Sequence, residues 1–321
     1  MDDYTKTPLQ LPLIDLSQPL TSSSLTTLSQ ACRDWGFFHI KNHGISKDLY
    51  TKICMFSKNI LNLPLDTKLK LGPSSSLKTY TPHFIASPFF ESLRVSGPDY
   101  YSSAKRSGDV LFEAPNPEFY KTMQEYGKKM VELSKQIMII LLKCLGDGFD
   151  TKYYESEFGQ CHGYLRINSY SPRGNVEYEA VEGLGMHTDI SCITILHQDE
   201  VGGLQVKGKD GKWIDIKYSE GELVVNIGDL LQAWSNGKFR SSQHRVVLRK
   251  PSNRLSLAFF WCFEDEKMIV APDVVEKERI YRPFLCGDYI RFKVISEKGR
   301  FDKVKYTIDD FAVVDTALTD V

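Results

Sequence analysis

Three side chains in the second half of the chain have the types and spacing to hold a transition metal together. Gly185-Met186-His187-Thr188-Asp189 sets an imidazole and a carboxylate two residues apart. On an extended strand, residues i and i+2 project from the same face. Two ligands do not bind such an ion tightly. His244, in Ser241-Ser242-Gln243-His244-Arg245, supplies a third after 54 intervening residues (190–243), enough chain for several antiparallel strands to return to one place. Two histidines and a carboxylate on one side of an ion leave the other side open, as in non-haem iron(II) oxygenases, where a co-substrate and dioxygen enter. Zinc with the same ligands and a water is the chemical competitor. A lone His-x-Asp often arises by chance, and His43, His83, His162 and His197 read as packing or surface histidines.

The discriminating addition is Asn253-Arg254-Leu255-Ser256, with Arg254 ten residues beyond His244. Arg254 and Ser256 again share a strand face, and a planar guanidinium beside a hydroxyl binds a carboxylate through paired charge-assisted hydrogen bonds. Each such bond contributes about 1.5–3 kcal/mol. A metal triad beside a carboxylate clamp calls for a 2-oxo acid that chelates the ion at one end and is held by arginine at the other. A zinc hydrolase has no need of that clamp.

These residues need a frame. Leu11–Leu16 reads as a first strand, and a Ser/Thr cluster at residues 21–24 suits the cap of a helix carrying Leu25, Leu28, Cys32 and Trp35. Phe37–Lys41 is β-prone, and a second amphipathic helix runs from about Ser46 to Leu63. Residues 71–117 carry Ser, Pro and aromatics without periodicity and read as an irregular segment around a pocket. Its candidate lining is Phe84, Phe89, Phe90, Tyr100 and Tyr101, joined by Phe260 from a late strand. A long helix follows, its stripe running from Phe119 to Cys144. After Gly163 come short β-rich runs about ten residues apart, among them YLRINSY, CITILHQ, GGLQVKG, KWIDIK, LVVNIG, HRVVL and RLSLAFFWCF. Such spacing indicates a sandwich or barrel. The reading is one α+β domain over 1–321: a mostly helical region, 1–150, buttressing a β core at 160–300.

Composition is that of an ordinary globular protein, and Lys+Arg 40 against Asp+Glu 41 gives a net charge of -1. That balance argues against a nucleic-acid or anionic-membrane partner and fits a soluble protein acting on small molecules or other proteins. Seven scattered cysteines with no C-x-x-C pair argue against disulfides or structural zinc and fit a reducing compartment. The N-terminus lacks a signal-peptide pattern and no apolar run would span a bilayer, so a cytoplasmic location is expected. A monomer is the default.

The motifs LPLIDLS, WGFFHIKNHGI, RINSYSP, GMHTDISCITILHQDEVGGLQV, LVVNIGDLLQAWSNGKFRSSQHRV and NRLSLAFF occur in this order. The chain carrying them resembles, over nearly its whole length, the plant soluble 2-oxoglutarate/iron(II) dioxygenases. That superfamily includes gibberellin oxidases, flavonoid oxygenases and 1-aminocyclopropane-1-carboxylate oxidase. The resemblance implies a distorted double-stranded β-helix, a jelly roll with N-terminal and flanking helices. It implies Fe(II) on His187, Asp189 and His244, and 2-oxoglutarate on Arg254 and Ser256, with Tyr170 touching the co-substrate and Asn168 close by. Dioxygen is then the second co-substrate, ascorbate a supporting reductant, and succinate and CO2 the co-products. The likeness to the gibberellin oxidases implies a gibberellin or related carboxylated hormone as substrate, its carboxylate met by a basic residue such as Arg94 or Lys105. The alternatives are a same-fold enzyme acting on auxin or a flavonoid, an oxidase that does not consume 2-oxoglutarate, and a non-catalytic hormone-binding protein.

Overall fold

The computed structural model describes residues 4–5, 8–84, 87–146, 148–149, 151–172, 180–249, 251–273, 275, 278–295 and 306–314. The two ends of the 1–321 range, and residues 296–300 of the 160–300 core, lie outside the described residues.

The helices are α1 Ser22–Asp34, α2 Lys47–Leu61, α3 Leu65–Leu69, α4 Tyr100–Leu111, α5 Pro117–Lys143, α6 Thr151–Phe158, α7 Asp229–Trp234, α8 Cys286–Ile295 and α9 Ile308–Ala312. Side-chain caps start the long ones: Thr21 accepts from the Ser24 amide, Ser46 from Leu49 and Asn116 from Phe119, with Pro117 in the first turn of α5. Such caps satisfy amides that the helix itself leaves unpaired. The α5 stripe of Phe119, Met123, Tyr126, Met130, Leu133, Ile137 and Leu141 is buried, as its period requires. No helix among the described residues is long and apolar enough to cross a membrane. All seven cysteines are free thiols.

The strands are β1 Tyr4–Thr5, β2 Leu13–Asp15, β3 Phe37–Lys41, β4 Tyr80–Thr81, β5 Phe90–Ser96, β6 His162–Tyr170, β7 Val181–His187, β8 Ile193–Gln198, β9 Leu204–Lys207, β10 Trp213–Asp215, β11 Leu223–Ile227, β12 His244–Leu248, β13 Arg254–Cys262, β14 Met268–Ile269 and β15 Phe284–Leu285. Eight consecutive strands, β6 to β13, divide between two sheets ordered β11-β8-β13-β6 and β10-β9-β12-β7, alternating except where β9 and β10 pair as neighbours in the second. This is the double-stranded β-helix. The first sheet is widened by β3 and β2 on one edge and by β5 and β4 on the other, and β1 extends the second. Side chains from both sheets pack together, as in the cluster of Phe37, Leu204, Val206 and Val224.

The wide sheet is covered on both sides, and its period-two alternation sorts residues between them. On β13, Leu255, Leu257, Phe259 and Trp261 pack into the helix-side core, while Arg254, Ser256, Ala258 and Phe260 line a cavity between the sheets. On β6, Leu165 and Ile167 face the helices, and Tyr164, Arg166, Asn168 and Tyr170 face the cavity.

The mostly helical region before residue 150 also gives strands β2 to β5 to the wide sheet. One expectation needs correction: residues 71–117 are not irregular, since they contain β4, β5 and α4. Helix α4 buries Tyr100, Ser103, Ala104, Ser107, Gly108 and Leu111, a stripe at helical spacing but made largely of small residues. Hydrophobic periodicity therefore does not reveal it. Small residues are what let α4 and α5 approach: a Cβ on Gly127 would stand 2.4 Å from the Tyr100 ring. Gly127→Val is expected to destabilise the fold by about 1–3 kcal/mol through overpacking. A lowered denaturant midpoint measures this, and an unchanged midpoint would contradict the contact.

Candidate active site

His187 ends β7 and His244 begins β12, and the two are directly paired across these antiparallel strands, their rings 4.3 Å apart. The sheet thus brings together two histidines distant in sequence. Asp189 lies two residues past the end of β7, in the connection to β8, so it shares the site without belonging to the strand. One ligand atom from each of the three fits within a mutual separation of 4.8 Å.

Each group is oriented from behind. Nδ1 of His187 lies 2.7 Å from the Gly185 carbonyl, and Nδ1 of His244 lies 3.1 Å from that of Ser242. A proton on each Nδ1 leaves Nε2 as the basic atom, the tautomer a metal requires. Both Nε2 atoms stand 3.7 Å from Asp189 Oδ1. Asp189 Oδ2 accepts from Thr194 Oγ1 at 2.7 Å and Asn226 Nδ2 at 2.8 Å, which turns Oδ1 toward the rings. Burial would raise the Asp189 carboxyl, but His244, His187 and these two hydrogen bonds hold it below the ordinary carboxylate range. The donor set suits a divalent ion with open coordination positions.

The clamp residues meet on β13. Arg254 is 1% exposed and donates through Nη1 to Ser256 Oγ at 3.1 Å, through Nη2 to Gln198 Oε1 at 3.3 Å and through Nε to the Gly202 carbonyl. Its guanidinium lies 4.8 Å from the centre of the Tyr170 ring, and no carboxylate among the described residues forms an ion pair with it. Tyr170 is paired opposite Arg254, and Asn168 opposite Ser256. Asn168 Oδ1 is buried with no hydrogen-bond partner among the described residues. A lone buried cation and an orphan amide oxygen on one cavity wall fit a missing polar ligand.

The cavity measures about 380 Å³ and holds the triad and the clamp together. Phe84, Phe90 and Phe260 line it. Phe89, Arg94, Tyr100 and Tyr101 do not. Phe89 packs outside it, against the apolar cluster formed by Phe90, Tyr170 and Val246. Arg94 lies beyond Ser92 on β5, its guanidinium 4.0 Å over the Tyr164 ring and its Nε bonded to Ser96. Tyr100 is buried on the helix side of the sheet, donating to the Gly163 carbonyl at 2.9 Å, and Tyr101 packs edge-on against Tyr120. Lys105 pairs with Asp109 one turn along α4.

Other lining residues escaped the sequence reading: Thr81, Tyr164, Arg166, Asn226, Lys293 and Tyr306. Arg166 had a signal, because it stands two residues before Asn168 and so on the same strand face. Asn226 had one too, as the polar residue of an apolar strand. Lys293 and Tyr306 had none.

Comparison with known proteins agrees with this geometry. Residues 161–263 match the family model described as the 2OG-Fe(II) oxygenase superfamily, and residues 11–89 match the N-terminal model of a non-haem dioxygenase in morphine synthesis. A gibberellin 20-oxidase-like protein of Arabidopsis thaliana is 52% identical over 96% of this chain and 98% of its own length. Among solved structures, the rice dioxygenase for auxin oxidation superposes with a TM-score of 0.74 at 26% identity, covering 89% of this chain and 95% of that one. JOX2, solved in complex with 2OG, Fe and JA, does so at 0.77 and 25% identity, covering 95% and 89%.

If the triad is the metal site, Asp189→Ala loses it. Metal analysis after anaerobic iron(II) loading and desalting is expected to fall from about one equivalent to near zero, and a full equivalent in the variant would dismiss the assignment.

Proposed function

Because this chain belongs to the 2-oxoglutarate/iron(II) oxygenase superfamily, and is a 2-oxoglutarate-dependent dioxygenase, we propose that it oxidises a small, largely apolar carboxylic acid, a gibberellin or related plant hormone. His187, Asp189 and His244 hold the iron(II). Arg254 and Ser256 hold the distal carboxylate of 2-oxoglutarate, with Tyr170 and Asn168 beside it. When bound, iron(II) with 2-oxoglutarate and dioxygen supplies the oxidising power, and the co-substrate leaves as succinate and CO2. The protein's own part is to bind, orient and keep water out.

The observation that carries the substrate reading is Arg166. Its guanidinium reaches Ser92 Oγ at 2.9 Å and Thr81 Oγ1 at 3.5 Å, and it forms no ion pair with any described carboxylate. Burial pulls it below the ordinary guanidinium range, and neighbouring Arg94 adds to that pull. A cavity cation in this state favours an anionic guest. On the paired strands β6 and β13, Arg166 stands opposite Ala258 and Arg254 opposite Tyr170. The Cα positions of the two arginines are thus offset by four residues along the sheet, about 13 Å at strand spacing. One pole suits the co-substrate and the other the substrate. Between them Leu184, Leu196, Val246 and Phe260 supply apolar wall for a carbon skeleton.

A second reading has a specific observation behind it. Tyr164 and Phe260 stack at 4.9 Å with an interplanar angle of 12°, forming a flat aromatic floor. That floor favours a planar aromatic acid such as auxin, and the similarity to an auxin-oxidising enzyme points the same way.

The test is succinate formation by the iron(II)-loaded protein with ascorbate, scanned over gibberellins, auxin and flavonoids, products read by mass spectrometry. Oxidised acid and succinate in equal amounts are expected for one carboxylated substrate. Turnover of neutral flavonoids alone would overturn the substrate class, and product without succinate would overturn the role of 2-oxoglutarate. Arg166→Leu is expected to cost a charge-assisted bond of about 1.5–3 kcal/mol. At 1.4 kcal/mol per tenfold, KM for the acid rises by about 10- to 150-fold, while the methyl ester is affected little. Equal losses for acid and ester would count against the anchor.

A further inference from the structure

Behind the proposed metal ligands lies a buried polar cluster that the reading above does not use. Thr188, between His187 and Asp189, donates through Oγ1 to Asp229 Oδ2 at 2.9 Å. The same carboxylate oxygen accepts from Tyr289 OH at 2.6 Å and from Lys293 Nζ at 3.0 Å. Lys293 Nζ also donates to Thr188 Oγ1 at 2.8 Å and reaches the Thr188 carbonyl at 3.4 Å. The proton count is consistent, since the threonine hydroxyl gives its proton to Asp229 and receives one from the ammonium. The Asp229 amide closes the circuit, donating to the Asp189 carbonyl at 2.8 Å.

The members come from three places in the chain. Thr188 lies in the β7–β8 connection, Asp229 opens α7, and Tyr289 and Lys293 lie one turn apart on α8. The Lys293 and Asp229 side chains are 12% and 1% exposed. Packing alone does not account for such a pair, because apolar residues of similar volume serve a core as well or better. What an ion pair adds is direction. Here the direction falls on the one residue between two ligands, where rotation of the Thr188 peptide would swing His187 and Asp189 apart.

We infer that Lys293 is a positioning residue of the metal centre: from α8 it fixes Thr188, so that docking of this helix completes the geometry in which His187 and Asp189 converge. The inference rests on the assignment of those residues as iron ligands. It places a residue near the C-terminal end of the chain in the support of a site whose ligands lie in the β core.

The test is the affinity for iron(II) of the full-length protein, by anaerobic titration calorimetry with 2-oxoglutarate present, alongside the melting temperature of the metal-free protein. Lys293→Met is expected to weaken iron(II) binding about 10- to 100-fold, the range for partners that orient ligands from behind. The double variant Lys293→Met/Asp229→Asn removes the uncompensated carboxylate. It is expected to recover the melting temperature but not the affinity. Wild-type affinity in Lys293→Met, or affinity restored together with stability in the double variant, would overturn the inference and leave the ligand assignment standing. If Lys293→Met does not fold, Thr188→Val carries the same expectation, because it removes the shared hydroxyl and keeps the ion pair. His187→Ala is the reference: wild-type affinity there overturns the ligand assignment and this inference with it.

Discussion

A charge removed from water is tolerated only where something answers it, and the cavity between the two sheets holds several. Asp189 is answered by two imidazoles and by the side chains of Thr194 and Asn226. Arg254 is answered by a carbonyl, a hydroxyl, an amide oxygen and an aromatic face, none of them anionic. Arg166 has hydroxyls. The anionic member is thus provided for within the chain, whereas neither guanidinium forms an ion pair with a carboxylate of the described residues. A core would not be built this way, because each uncompensated guanidinium costs stability. A site is, because the same cost is recovered when a carboxylate arrives.

The sheets keep these charges from collapsing onto one another. Arg166 and Arg254 are anchored on one face of paired strands at fixed register, and the rows Leu255–Trp261 and Leu165–Ile167 lock the opposite face into the helix-side core. Rotating either arginine out would require moving a strand whose other face is fully packed. Positions set by a ladder hold a constellation more tightly than positions on loops. The exception is Asp189, which lies off the strand, and it is also the ligand with the most side-chain donors directed at it. Where the ladder ends, hydrogen bonds take over its role.

How much of this could be read from the sequence depended on whether a residue's role left a local pattern. The seven β-rich runs after Gly163 did, through alternation and turn residues. His187, His244, Arg254 and Ser256 did, through residue type and spacing. The His-x-Asp argument brought Asp189 to the right place by a step that is not literally true, since the strand stops at His187. Helix α4 left no hydrophobic stripe because its buried face is largely Ser, Ala and Gly. The aromatics Phe89 and Tyr100 looked like pocket lining because composition cannot tell the two sides of a sheet apart. Arg94 and Lys105 attracted notice as free cations, whereas the cavity's second cation, Arg166, stood in a motif already quoted for other reasons. Lys293 depends on contacts 64 and 105 residues away in sequence, which no local pattern encodes.

Asp189 is therefore held from two independent directions. Its side chain is fixed by Thr194 on β8 and Asn226 on β11, neighbours in the same sheet. Its backbone is fixed by the Asp229 amide, and the residue before it by Asp229 and Lys293. The first set belongs to the β core and is in place once the sheet forms. The second depends on α7, in the connection between β11 and β12, and on α8, which follows the last core strand. Lys293 and Tyr306 line the same cavity as the triad, and Lys293 at the same time bonds the residue between His187 and Asp189. A change there that reshapes the pocket also bears on the carboxylate ligand, whereas a change at Phe84 or Phe90, on the opposite edge of the sheet, does not.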